Sequence, residues 1–315
     1  MKILVTGGFG YLGGRLVRHL TADCTHEIFV GTRGQEQLSS NTKIVRTIWN
    51  SSIELRKICS DLDTVIHVAG MNAHDCAQDS ALALEINGLN TARLLQAAVL
   101  EKVKRFIYIS TAHVYANPLI GKMTEETCAK NLHPYASSHR AGEDVVRAAH
   151  HRGDIEGIVI RLANTYGAPS HYQVNCWTLL VNDICRQAVM NQKIKLNSSG
   201  SQQINLISMA DACRAIAYML ELPSNHLRDG LFNIGGARSW TVIEMATFVS
   251  ERAERILGKK VEIFAPIYAK NENSEELNYD VSKFLKTGFE PSKEIAAETE
   301  VNNLIQFCLE HFNRS

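Results

Sequence analysis

From Lys2 onward, short unbroken apolar runs alternate with stretches whose apolar residues recur every three or four positions. "KILVT" is such a run, and "GGRLVRHLTA" after it belongs to a segment with Leu12, Leu16 and Leu20 on one helix face. "EIFVGT" and "TKIVRT" read as a second and third strand, followed by a helical "SIELRKICSD". "DTVIHVAG" reads as a fourth strand, and residues 80–100 as a long helix carrying Leu82, Ile86, Leu89 and Leu94. "KRFIYIST" gives a fifth strand, residues 135–151 a helix, and "IEGIVIRLAN" a sixth strand. Runs rich in β-branched residues without polar alternation are buried on both faces. The pattern therefore predicts an α/β chain with a doubly wound parallel sheet, covered by helices on right-handed crossovers.

The rhythm breaks near residue 166. Residues 176–192 and 209–221 read as helices, and "INLIS" and "LFNIG" as strands that could rejoin the main sheet. The reading is one domain over 1–165, rejoined by about 205–235, with 166–204 and 236–315 forming a smaller C-terminal substrate lobe. Ligands of such sheets bind at the carboxyl ends of the strands, so chemistry is expected along that edge.

Composition narrows the function classes. Lys+Arg and Asp+Glu number 33 each, so the formal net charge of zero argues against nucleic acid or an anionic membrane surface as the main partner. No apolar run nears the roughly 18 residues that span a bilayer, and the four apolar residues after Lys2 are too few for a signal-peptide core. The eight cysteines include no C-x-x-C pair and read as reduced thiols of a cytoplasmic protein. The pairs His133/His139 and His150/His151 have no carboxylate or thiol at metal spacing, so no metal is expected.

The sharpest local signal is "VTGGFGYLGG". Gly7, Gly10 and Gly13 follow the first strand directly and open the first helix. In that order Gly7 allows the tight turn, and Gly10 lets the backbone approach a pyrophosphate on the helix N-terminus. Gly13 permits close helix–strand packing, with Tyr11 and Leu12 beside the phosphates. This is the start of a dinucleotide-binding Rossmann sheet. An NAD site usually places Asp or Glu about 20 residues further on. Here Thr32 and Arg33 stand there, and a guanidinium grips a 2′-phosphate that a carboxylate would repel, which favours NADP over NAD.

With these pieces placed, the chain resembles an extended short-chain dehydrogenase/reductase of the NAD(P)-dependent nucleotide-sugar epimerase/dehydratase type. The likeness rests on "TGGFGYLGG", "DTVIHVAG", "NGLNTARLLQAA", "FIYISTAHVYA", "PYASSH", "VIRLANTYG", "FNIGG" and "YDVSKFLKTGFEP". It implies catalysis by Tyr135, with Thr111 beside it and His139 where the family carries lysine. A cation four residues along a helix lies about 5–6 Å away and would lower the phenol pKa by about one to two units, whereas a histidine near pKa 6.5 is mostly neutral at pH 7. The resemblance further places Ala69, Gly70 and Ser110 beside the cofactor. Ile48 and Trp49 fall where relatives often put an acid for the adenine amine, and Trp49 is either an adenine platform or a core residue.

Toward substrate it points to Thr111, Ala112, His113 and Asn164, with Arg238 either a substitute cation or a plain loop arginine. The Asp-Glu pair of the water-eliminating members is replaced by Ala112-His113, and the Arg-Asp-Phe segment that clamps a diphosphate by Ile204-Asn205-Leu206. The expected function is an NAD(P)(H)-dependent epimerase or keto-reductase working at C4, or another ring carbinol, of a nucleotide sugar. A catalytically impaired dinucleotide binder and a reductase of non-sugar carbonyls remain the alternatives. A homodimer through the helices at 80–100 and 135–151 is implied, with Leu95, Val99, Val145 and Val146 as candidate contacts.

Overall fold

The computed structural model describes residues 1–22, 24–34, 42–266, 276–292 and 295–312. Seven parallel strands form the main sheet, in the order Leu231–Ile234, Glu156–Leu162, Arg105–Thr111, Thr64–His67, Lys2–Thr6, Glu27–Thr32 and Thr42–Arg46. The chain begins at the centre and winds outward on both sides, which is the doubly wound arrangement expected. Successive side chains of each strand enter opposite cores. Ile3 and Val5 pack with Leu16, Ile66, Ile107 and Ile216, whereas Leu4 packs with Leu55, Val65, Leu94 and Phe106. Both faces being apolar explains why the strands read as continuous runs.

The predicted strand at residues 204–208 does not rejoin this sheet. Gln203–Ser208 instead pairs with Asn164–Tyr166 and with Ser239–Thr241 in a separate three-stranded sheet, and only Leu231–Ile234 returns to the main one. Behind this small sheet, helices Leu180–Asn191, Val242–Leu257 and Ile295–Phe312 enclose their own core around Ile184, Val249 and Leu304. The first helix, Tyr11–Thr21, is tied to this lobe by Arg15. Its guanidinium pairs with buried Glu300 at 2.8 Å and donates to the Ala168 carbonyl at 2.6 Å.

The long helix expected at 80–100 is helical throughout but changes pitch. Leu84–Leu89 is a π-turn between α-helical Ser80–Ala83 and Asn90–Leu100. The extra residue turns Asn87 and Gly88 inward against helix Pro134–Arg152. Leu95 and Val146 are buried and Val99 and Val145 pack on the same internal core, so these four serve the subunit itself. Leu82, Leu84, Leu89 and Leu100 are exposed large apolar residues of this region. Among the described residues no helix is long and apolar enough to cross a membrane.

Candidate active site

The glycine turn is built too tightly for side chains. Gly7 has φ +69°, and a Cβ there would meet the Ala69 nitrogen at 2.7 Å. A Cβ on Gly13 would stand 2.1 Å from the Gly7 carbonyl oxygen. The helix that follows has Gly10 as N-cap with no side-chain hydrogen bond and no acidic residue in its first turn. Its leading N–H groups are therefore free to meet an anion. A cavity of about 780 Å³ opens there, walled by Gly7, Gly10, Thr32, Arg33, Trp49, Ala69 and Gly70. These features fit a dinucleotide: bare backbone for the pyrophosphate, an uncapped helix start, and an exposed Arg33 at the end of the second strand. Trp49 lines the cavity while packing on the core. Ile48 lines neither this cavity nor its neighbour.

The adjoining cavity, about 660 Å³, shares Gly7, Gly10 and Gly70 and brings together Tyr11, Leu12, Gly13, Ser110, Thr111, His113, Tyr135, His139 and Asn164. Two elements deliver these groups. Strand Arg105–Thr111 ends in Ser110 and Thr111, and helix Pro134–Arg152 carries Tyr135 in its first turn and His139 one turn later. Pro134 at the helix start and the His133 ring accepting the Tyr135 N–H at 3.2 Å fix the entry of that helix.

Burial raises the Tyr135 phenol above its ordinary pKa, a hydrogen bond with Thr111 opposes the rise, and the Cys76 thiol adds to it. Thr111 oxygen accepts the His113 N–H at 3.2 Å, which leaves its own proton for the phenol oxygen. The ring of His139 stands edge-on to Tyr135 with centroids 4.6 Å apart. Burial pushes the His139 pKa down to about 4, so it is neutral at physiological pH. Among the described residues no cation supports Tyr135 from this helix face.

Glu143, Arg161 and Asn87 shape the site but went unremarked in the sequence. Glu143, one turn beyond His139, is buried and holds Arg161 through Nε and Nη2, the latter at 2.6 Å, while Ser110 donates to it at 2.5 Å. This ion pair anchors the strand end beside Thr111. The signal was present: an arginine inside the apolar run "GIVIRLA" must find a buried partner. Asn87, on the π-turn, accepts the Met71 N–H at 2.8 Å and donates to Ser138 at 3.0 Å, which joins the cavity rim to the helix carrying Tyr135. His67 is sealed at the end of its strand, bonded to Thr6 at 2.6 Å and Thr91 at 3.0 Å.

The substrate-side residues divide. His113 and Asn164 face the cleft and bond each other at 3.3 Å; burial lowers the His113 pKa, with the bond to Asn164 opposing. Ala112 is buried in the sheet core and lines neither cleft cavity. Arg238 lies over the Trp240 ring at 3.6 Å, on the wall of a separate 240 Å³ cavity with Gly235, Gly236 and Phe289. Ile204 pairs with Trp240 across the small sheet and packs against the lobe core.

Residues 3–235 match the family model described as the NAD dependent epimerase/dehydratase family. A dTDP-glucose 4,6-dehydratase of Streptomyces niveus is 27% identical over 273 residues, covering 78% of this chain and 76% of that protein. An uncharacterized UDP-glucose epimerase of Bacillus subtilis is 24% identical, with coverage of 91% and 95%. Among solved structures, a UDP-glucuronic acid 4-epimerase from Bacillus cereus, in complex with UDP-glucuronic acid and NAD, superposes with a TM-score of 0.80 at 20% identity. That match covers 98% of this chain and 99% of the other.

Proposed function

Because the chain belongs to the NAD dependent epimerase/dehydratase family, we propose that it exchanges a hydride between a nicotinamide dinucleotide and a ring carbon, C4, of a nucleotide-activated sugar, with ketone reduction as the working direction. The observation that carries this reading is the state of Tyr135. It is half-buried, bonded to Thr111 and held protonated, with no cation among the described residues to acidify it. A phenol in that state holds the proton that a general acid must give. When bound, the dinucleotide supplies the hydride. Thr111 and Tyr135 then hydrogen-bond the ketone oxygen, and Tyr135 gives its proton to the alkoxide as it forms. The neutral His139 ring can bond a ribose hydroxyl but contributes no full charge.

Elimination of water is disfavoured. It needs an acid–base pair next to Thr111, where Ala112 is packed in the core and His113 is kept neutral. NADPH is the proposed cofactor, because Arg33 is exposed on the cavity wall beside Thr32. A homodimer is proposed through the exposed Leu82, Leu84 and Leu89.

The test is stoichiometric oxidation of NADPH with UDP- and dTDP-4-keto-hexoses. Tyr135→Phe should lower turnover about 10²- to 10⁴-fold while leaving dinucleotide affinity in place. Unchanged turnover would remove Tyr135 from the mechanism. Tightly held nicotinamide that interconverts UDP-sugars without consuming NADPH would make the protein an epimerase instead. Arg33→Ala should weaken NADPH roughly ten- to a hundredfold and leave NADH binding alone.

A further inference from the structure

A buried chain of polar groups runs behind the cleft from the first strand to the catalytic helix, and its proton directions can be worked out link by link. The Thr91 hydroxyl donates to the Asn87 carbonyl at 2.7 Å. Having only one proton, Thr91 must accept from His67 Nε2 at 3.0 Å. His67 is neutral, so its Nδ1 is bare and takes the Thr6 hydroxyl proton at 2.6 Å. Thr6 oxygen in turn accepts the Ala69 N–H at 3.3 Å.

At the far end stands Tyr108, stacked on His67 with ring centroids 5.7 Å apart. Its hydroxyl has two principal acceptors, the Asn87 carbonyl at 3.2 Å and His139 Nδ1 at 3.0 Å, with the His139 carbonyl more distant at 3.5 Å. The Asn87 carbonyl already takes the shorter bond from Thr91, whereas among the described residues His139 Nδ1 has no other partner. Donation to Nδ1 gives the phenol the shorter contact and the freer acceptor, whereas an Nδ1–H tautomer would leave the phenol proton only the longer bond to a carbonyl already taken. Gly142 permits this packing: a Cβ there would stand 2.5 Å from the Tyr108 oxygen.

We propose that Tyr108 donates to Nδ1 of His139 and fixes the imidazole as the Nε2–H tautomer, so that His139 presents a hydrogen-bond donor to the dinucleotide cleft. Tyr108 is thus a positioning residue that acts through His139. The Cε1–Nε2 edge of the ring packs toward Gly70, within 3.8 Å of where a Cβ on that glycine would lie, and Gly70 lines both cavities. Among the described residues no protein group bonds Nε2. A free N–H at that place suits a sugar hydroxyl of the cofactor, and this last step rests on the function proposed above.

The experiment is nitrogen-15 NMR of histidine-labelled full-length protein without cofactor, near neutral pH. The expected wild-type spectrum shows His139 protonated at Nε2 and bare at Nδ1; an Nδ1–H tautomer overturns the proposal. Tyr108→Phe should replace that pattern by a mixture of tautomers, and an unchanged Nε2–H pattern overturns it as well. Should Tyr108→Phe fail to fold, the wild-type spectrum still decides. With NADPH as probe, Tyr108→Phe should weaken binding roughly five- to tenfold in wild type and not at all in a His139→Ala background. Equal losses in both backgrounds contradict action through His139. A protein that binds no NADPH yet shows the Tyr108-dependent Nε2–H tautomer would sink the proposed function and uphold this inference.

Discussion

One helical turn separates His139 from Glu143, and both are nearly sealed from solvent, at 7% and 1% exposure. Their surroundings lead to opposite ends. His139 is met by a phenol, an aromatic edge and glycine backbone, none of which carries charge, and burial alone drives it neutral. Glu143 is met by a guanidinium and a hydroxyl. Burial by itself would lower the Arg161 pKa, but the bonds to Glu143 more than offset that and raise it. Depth does not decide ionisation in this helix; the partner does. The neutral turn faces the cleft, and the charged turn holds the strand that ends there.

The largest effect expected from breaking this contrast is at the charged turn. Glu143→Gln leaves Arg161 buried without its counter-ion and should cost about 3–5 kcal/mol of stability in urea unfolding. Adding Arg161→Met should restore most of that loss, since an apolar replacement of both partners is close to neutral. Failure of the second change to recover stability would mean that Glu143 matters through Ser110 rather than through the ion pair.

Acid should act mainly through the neutral histidines. His139 and His67 have folded pKa values lowered by burial to about 4 and about 3, below the ordinary 6.5. The unfolded chain therefore binds more protons below pH 6.5. The stability these rings contribute is complete above that value and is lost as pH falls toward the folded values. Each ring should contribute a slope of up to about 1.4 kcal/mol per pH unit, and His139→Gln should remove its share between pH 6 and pH 4. A denaturation midpoint equally steep in both proteins would show that His139 is not buried neutral.

The smallest expected effect is a conversion of one turn toward the other. His139→Lys introduces a cation about 5–6 Å from Tyr135 and should lower the pKa seen in the pH–rate profile by about one to two units. A profile that does not move would place the lysine ammonium away from the phenol.

Much of this arrangement was legible before any coordinates. The glycine turn, the strand ending in Thr111 and the helix opening at Tyr135 each depend on local order along the chain, and local order is what hydrophobic periodicity records. What escaped were choices made between distant segments. "INLIS" is as apolar as a main-sheet strand, and nothing within it reveals that its neighbours are Asn164–Tyr166 and Ser239–Thr241. The π-turn changes the helix pitch without changing its apolar spacing enough to notice, yet it turns Asn87 inward. Ala112 and Ile48 sit beside residues that line the cleft, but the local backbone sends Ala112 into the core and leaves Ile48 off the wall.

The tie between Arg15 and Glu300 has a consequence for the order of assembly. Nearly three hundred residues separate the two, and Glu300 also accepts the Ala210 N–H at 3.2 Å at the start of another helix. During synthesis the parallel strands can all pair before the carboxylate that pairs with Arg15 has been made. A nascent chain halted ahead of Ile295 would carry a complete sheet whose first helix still waits for its counter-charge, and proteases should find that helix before they find the strands.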